Sequence, residues 1–195
     1  MKKIIDISQE VFNCNVFPGD PYPEKNNILA IKKGDICNLT RLSMCVHNGT
    51  HIDAPFHFID GGKTVEQLGL DPFVGDCFVA LHNGAVTADD AVTIMKKANK
   101  VDAAERILIA GDVTVTTEAA IVFANSKIKL LGNESQTIGP KDSPKEVHMI
   151  LLGAEVVLLE GVVLTSITEG RYYLCAAPLS LEGCDGAPCR AFLIE

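Results

Sequence analysis

Between positions 47 and 57 the sequence runs His47-Asn48-Gly49-Thr50-His51-Ile52-Asp53-Ala54-Pro55-Phe56-His57, gathering three of the chain's five histidines around an aspartate. His47, His51, Asp53 and His57 all fall on odd positions, so an extended backbone turns them to one face. A helix would also bring His47 and His51 together, but Gly49, Thr50, Ile52, Asp53 and Pro55 make a helix interior improbable. On a straight strand at about 3.3 Å per residue the two imidazoles stand roughly 13 Å apart, the limit for gripping one ion. The chain must therefore bend, and Asn48-Gly49 is the natural place, since both residues tolerate positive φ. Pro55 then stops the segment from continuing as a central strand. A bent segment with three imidazoles and one carboxylate supplies nitrogen and oxygen ligands for a borderline divalent ion such as Zn²⁺ or Mn²⁺. Four metal-capable groups within eleven residues weigh strongly for a site over accident.

Other residues carry weaker signals. His148 lies near the start of a helix opened by Ser143-Pro144-Lys145-Glu146, a capping box with proline at the first helical position, and closed by Gly153. Leu151 and Leu152 at i+3 and i+4 allow His148 to face inward. Glu160 ends the apolar run Val156-Leu159, at the strand edge where α/β sheets place their sites. On the residues alone, ligand and structural roles are evenly matched for both. Cys45 precedes His47 by two and shares its face, with packing beside the site the favoured role. Phe17 heads the turn Phe17-Pro18-Gly19-Asp20 and reads as a core residue or a pocket wall. His82 sits in a His-Asn-Gly turn and reads as a loop residue.

The elements that would hold these residues can be read from apolar patterning. Ile4-Ser8 suggests a short strand, and Leu42 to Val46 alternates, which predicts a strand burying Leu42, Met44 and Val46 and delivering its odd positions to a cleft. Thr64 to Gly75 reads as irregular with one short helical turn. Cys77-Leu81, Arg106-Ala110, Ile128-Leu131 and Val156-Leu159 are apolar runs suited to buried parallel strands. Thr87 caps a helix running to Asn99, and Thr117 opens another running to about Asn125. This alternation predicts a parallel sheet segment with antiparallel ends, hence a mixed sheet in a single compact α/β domain spanning residues 1–195.

At 195 residues, with 47% hydrophobic and 22% charged side chains, the chain suits one full-sized core. A formal charge of −8 without a local Lys/Arg cluster argues against nucleic-acid or anionic-membrane partners. Glycine-rich phosphate loops are absent. Asp6 and Glu10 interrupt the first apolar run too early for a signal peptide, which predicts a cytoplasmic protein. Seven cysteines without a CxxC pair fit reduced thiols.

Several blocks of the sequence resemble the cyclase family of metal-dependent hydrolases, whose best characterised members are bacterial kynurenine formamidases, or arylformamidases. The family motif H-x-G-T-H-x-D-x-P-x-H stands as His47 to His57. Asp6-Ile7-Ser8 and Phe17-Pro18-Gly19-Asp20 resemble its D-I-S and W-P-G-D elements, and Pro178 to Ala191 resembles its P-L-x-L-x-G-x-D-G-x-P-x-R-A tail. The resemblance implies a fold of the swivelling β/β/α type, assembled as dimers or tetramers. It implies two divalent ions, zinc before manganese: His47, His51 and Asp53 hold one, and Asp53 bridges to a second held by His148 and Glu160. His148 and the Leu159-Glu160-Gly161 element fit its wider pattern. His57 would be the acid and base, and Phe17 matches a pocket tryptophan. The implied reaction is hydrolysis of N-formylkynurenine to kynurenine and formate by a metal-bound hydroxide. Phe17 in place of tryptophan and Cys45 in place of serine leave other small-molecule substrates open, isatin-like cyclic amides or lactones among them. A metal-binding module without catalysis and a purely structural protein are the remaining alternatives.

Overall fold

Every residue of the runs Arg106–Ala110, Leu130–Asn133 and Val157–Glu160 is buried, so these strands must be covered on both faces, as parallel strands usually are. The computed structural model, which describes residues 3–195, shows how. The strands are β1 (Ile4–Asp6), β2 (Glu24–Leu29), β3 (Leu39–Ser43), β4 (His51–Asp53), β5 (Val74–Leu81), β6 (Gly84–Val86) and β7 (Arg106–Ala110). They continue as β8 (Val113–Val115), β9 (Leu130–Asn133), β10 (Val157–Glu160), β11 (Gly170–Cys175), β12 (Gly186–Pro188) and β13 (Phe192–Ile194). The helices are α1 (Ala88–Asn99), α2 (Thr117–Asn125) and α3 (Lys145–Gly153). Nine strands form one sheet in the order β1-β13-β11-β5-β7-β9-β10-β4-β12. The pairs β5-β7, β7-β9 and β9-β10 are parallel, and the strands flanking them pair antiparallel.

Period-two alternation sorts the central side chains into two cores. Phe78, Ala80, Ile107, Ile109, Leu131 and Leu158 meet the helices, packing with Ala91, Ile94, Phe123 and Leu151. Cys77, Val79, Leu108, Leu130, Val157 and Leu159 face the other way, onto Ile7, Ile52, Phe73, Leu174 and Leu193. The second set includes residues of β4, β11 and β13, so the sheet curls and its antiparallel ends cover its own parallel middle. The result is the mixed-sheet α/β domain that the patterning predicts. No helix among the described residues is long and apolar enough to cross a membrane.

Three expectations need correction. The alternation at Leu42–Val46 does not bury its even positions: β3 ends at Ser43, pairs only with β2, and leaves Leu42 49% exposed. The apolar pattern is real, but no layer of this chain lies over the hairpin. Ser143 does not cap α3, which starts at Lys145 with Pro144 in the N-cap position and no side-chain cap bond. The run at Ile128–Leu131 enters the sheet two residues late, at Leu130, because Lys127 turns with φ 55° and Ile128 packs into the helical layer.

Candidate metal centre

The bend expected at Asn48-Gly49 is made by Gly49, with φ 67°. The Asn48 carboxamide oxygen accepts from Cys45 N at 2.9 Å, and the Gln136 amide donates to Gly49 O at 2.9 Å, which fixes the turn from both sides. Past the bend, β4 lies between β10 and β12, with His51 opposite Glu160 and Asp53 opposite Leu158 in the ladder. Alternation sends Ile52 into the core and turns His51 and Asp53 to the opposite face. Pro55 then opens a short 3-10 turn, Pro55–His57, that swings His57 back toward His47, and the two rings lie 4.0 Å apart between centroids.

The deepest part of the site comprises His51, Asp53, His148 and Glu160, each at most 2% exposed. His51 Nδ1 donates to Gly49 O at 2.9 Å, so Nε2 faces Asp53 Oδ1 at 3.2 Å and Glu160 Oε2 at 3.6 Å. His148 repeats the device from α3. Its Nδ1 donates to Pro144 O at 2.7 Å, and its Nε2 faces Glu160 Oε1 at 3.2 Å and Asp53 Oδ2 at 3.7 Å. Tying Nδ1 to a backbone carbonyl sets the tautomer that presents Nε2 as a ligand. Glu160 is oriented by the Ile138 N–H, which donates to Oε1 at 2.7 Å.

Toward solvent the arrangement changes. His47 places Nδ1 2.8 Å from Asp53 Oδ1 and Nε2 2.7 Å from Asp185 Oδ2, and His57 Nδ1 donates to that same Asp185 oxygen at 2.9 Å. Burial by itself would lower the pKa of His47, but the Asp185 and Asp53 carboxylates outweigh it and raise it to about 10. Contacts from His47 and His57 hold the Asp185 carboxyl well below the usual carboxylate range. For Asp53, burial favours the neutral acid, yet hydrogen bonds from His47 and His51 keep it ionised far below that range. His148 is raised: burial opposes its charge and Glu160 more than compensates.

One atom stands out. Asp53 Oδ2 is buried and has no hydrogen-bond partner among the described residues, a situation that costs about 1–3 kcal/mol, and more for a charged oxygen, unless a cation completes it. The donors around it suit a divalent ion. One group, His47, Asp53 and His57, and another, His51, Asp53 and Glu160, each bring their ligand atoms within 4.8 Å of one another, with Asp53 common to both. A nitrogen and oxygen set of this kind fits zinc or manganese.

The site opens into a cavity of about 260 Å³ lined by these imidazoles together with Phe17, Phe58, Gln136 and Thr137. Phe58 stands beside His148 with ring centroids 4.5 Å apart, and edge-on to His57 at the same separation. The structure thus gathers His47, His51, His57, His148, Glu160 and Phe17 around one cavity, with Asp53 buried behind the imidazoles of His47, His51 and His148. Cys45 does not line it, and His82 lies elsewhere, its Nε2 3.1 Å from Ala85 O. Sequence reasoning gave no role to Asp185, Gln136, Thr137 or Phe58. A signal for Asp185 was present in Asp185-Gly186: a Cβ on Gly186 would come within 2.5 Å of Ile52 O and 2.9 Å of the His47 ring, so β12 can approach β4 only through glycine.

Comparison with known proteins identifies the family and the fold. The model of the Cyclase family matches residues 5–140. The kynurenine formamidase of Sphingopyxis alaskensis is 32% identical over 212 residues, covering 100% of this chain and 99% of that protein. The kynurenine formamidase of Bacillus cereus is 33% identical over 207 residues, covering 97% and 96%. A solved structure described as a potential metal-dependent hydrolase with cyclase activity superposes with a TM-score of 0.83 at 29% identity, over 100% of this chain and 98% of that one. Isatin hydrolase A from Labrenzia aggregata shares the fold, with a TM-score of 0.83 at 20% identity over 99% and 93%. By its motif, its fold and its full-length relatives, the chain belongs to the cyclase family of metal-dependent hydrolases.

Proposed function

We infer that this hydrolase cleaves the formyl C–N bond of an N-formyl arylamine, with N-formylkynurenine the first substrate to test. The observation that carries the reading is the orphaned Asp53 oxygen, buried among His47, His51, His148 and Glu160, whose side chains line a cavity that also holds His57. His47, His51 and Asp53 would hold one divalent ion, and Asp53, His148 and Glu160 a second, zinc before manganese. A divalent cation bound there would lower the pKa of a neighbouring water toward about 7 and polarise the carbonyl to be attacked.

The protein's own residues supply the rest. Asp185 holds His57 by Nδ1, which leaves Nε2 to accept the proton of the attacking water and pass it to the departing nitrogen. That nitrogen leaves readily as an arylamine, because the ring delocalises its lone pair. Phe17 and Phe58 give the cavity aromatic walls for such a ring. Two apolar faces and a polar end suit a small molecule whose scissile bond is placed beside imidazole.

The working form we envisage is a cytoplasmic homo-oligomer of two or four copies. Exposed Ile28, Ile36, Leu39 and Leu42 on and beside the β2–β3 hairpin support assembly, since apolar side chains grouped on one projecting element mark contact surfaces. Steady-state kinetics with N-formylkynurenine on protein of measured metal content tests the activity, with kynurenine formation as the expected result. Hydrolysis of isatin or a simple lactone without turnover of the formamide would move the substrate to a cyclic one.

A further inference from the structure

The carboxyl ends of β7, β9 and β10 lie side by side in the sheet, the edge at which open parallel sheets seat their ligands. The metal cradle occupies only the β10 end, through Glu160. Next to it, the segments that follow β7 and β9 enclose a second cavity of about 500 Å³, lined in part by Asp112, Glu134 and Lys141 and sharing Phe17, Gln136 and Thr137 with the first.

The polar groups along this cavity are not equivalent. Glu134 is committed to the fold, because its carboxylate accepts from Gly111 N at 2.7 Å and Leu164 N at 2.8 Å. Gln136 is committed too, receiving from Gln9 and donating to Gly49 O. Lys141 and Asp112 are exposed, and neither forms an ion pair among the described residues. Thr137, in the wall common to both cavities, is 3% exposed, and its hydroxyl oxygen has no hydrogen-bond partner among the described residues.

We propose that the second cavity receives the far end of the substrate, a zwitterionic α-amino acid tail whose carboxylate pairs with Lys141 and whose ammonium pairs with Asp112, the shared wall of Phe17, Gln136 and Thr137 joining it to the metal cradle. The inference rests on the arylformamide reading and adds to it the substrate's other half. In a chain of net charge −8 an anionic group is repelled on approach, so a cation lining the cavity has to be present where that group settles.

Two substrates with the same formanilide head test this: N-formylkynurenine, which carries the tail, and 2-formamidoacetophenone, which does not. The wild-type protein is expected to prefer the first in kcat/KM, mainly through KM. Lys141→Met lowers that preference about tenfold, the worth of one charge-assisted contact, and Lys141→Arg retains most of it. If Lys141→Met leaves the ratio at its wild-type value while 2-formamidoacetophenone is hydrolysed, the tail site is refuted and the hydrolase reading stands. Turnover of neither substrate by metal-loaded protein refutes both.

Discussion

The two halves of the cradle differ in how their imidazoles are held. In the inner half, His51 and His148 give Nδ1 to backbone carbonyls and turn Nε2 on Asp53 and Glu160. In the outer half, His47 and His57 both lean on Asp185, whose side chain is 38% exposed. A backbone carbonyl is a fixed, neutral partner, so it orients a ring without competing for a positive ligand. A solvent-reachable carboxylate shared between two rings can stabilise charge as it comes and goes. The inner half suits ions that stay; in the outer half, His47, which would complete the donor set of one ion, shares Asp185 with His57, the ring placed to move a proton.

The strongest test of that division is Asp53→Ala, which removes the carboxylate common to both donor groups. Elemental analysis is expected to find at least one ion fewer per chain, with activity down by far more than the roughly 10–100-fold that loss of an outer partner costs. Full metal occupancy in that variant would contradict the shared role. His57→Ala should keep its metal and lose on the order of 10²–10⁴-fold in kcat, as removal of a general acid–base does. Loss of metal instead would move His57 to the inner half. Asp185→Asn should cost roughly 10–100-fold, more in kcat than in KM, because the amide cannot serve as an anionic acceptor to both rings; a change in KM alone would mean that Asp185 only shapes the cavity.

The pH dependence of the chelated protein sharpens the same contrast. The His47 pKa is raised from 6.5 to about 10 in the folded protein, so this ring binds a proton more tightly folded than unfolded. Its contribution to stability is complete below about 6.5 and is lost as pH rises through about 10. Thermal unfolding of metal-free protein should therefore show a Tm that declines across that window, less steeply in His47→Gln. A wild-type curve with the same slope as the variant would show that the ring carries no extra proton. The smallest effect is expected for Cys45→Ser, within about ±0.5 kcal/mol in stability and with unchanged metal content, since Cys45 lines neither half.

How much of this was legible beforehand depended on chain distance. His47, His51, Asp53 and His57 share eleven residues, so their clustering was readable, although only His51 and Asp53 share a strand face and the bend at Gly49 and the turn Pro55–His57 bring in the other two. His148 and Glu160 stayed balanced between roles on their own residues, because what brings Glu160 opposite His51 is the antiparallel pairing of β4 with β10, a contact over more than a hundred positions. Asp185 stood in the family-like tail Pro178 to Ala191 without a role, because its contacts to two of the histidines already singled out span more than a hundred positions. The central strands were readable as apolar runs, whereas the three-residue β12 carries too short a pattern to announce itself. At Leu42 the periodicity was sound and the inference was not, since alternation reports an apolar face without saying whether this chain covers it.

The strand bearing His51 and Asp53 is laced into ladders on both edges, to β10 and to β12, and its middle residue is anchored in the hydrophobic interior. Architecture, not coordination, maintains its shape. Removing bound metal with a chelator should consequently leave a chain that is still folded and ready to be refilled.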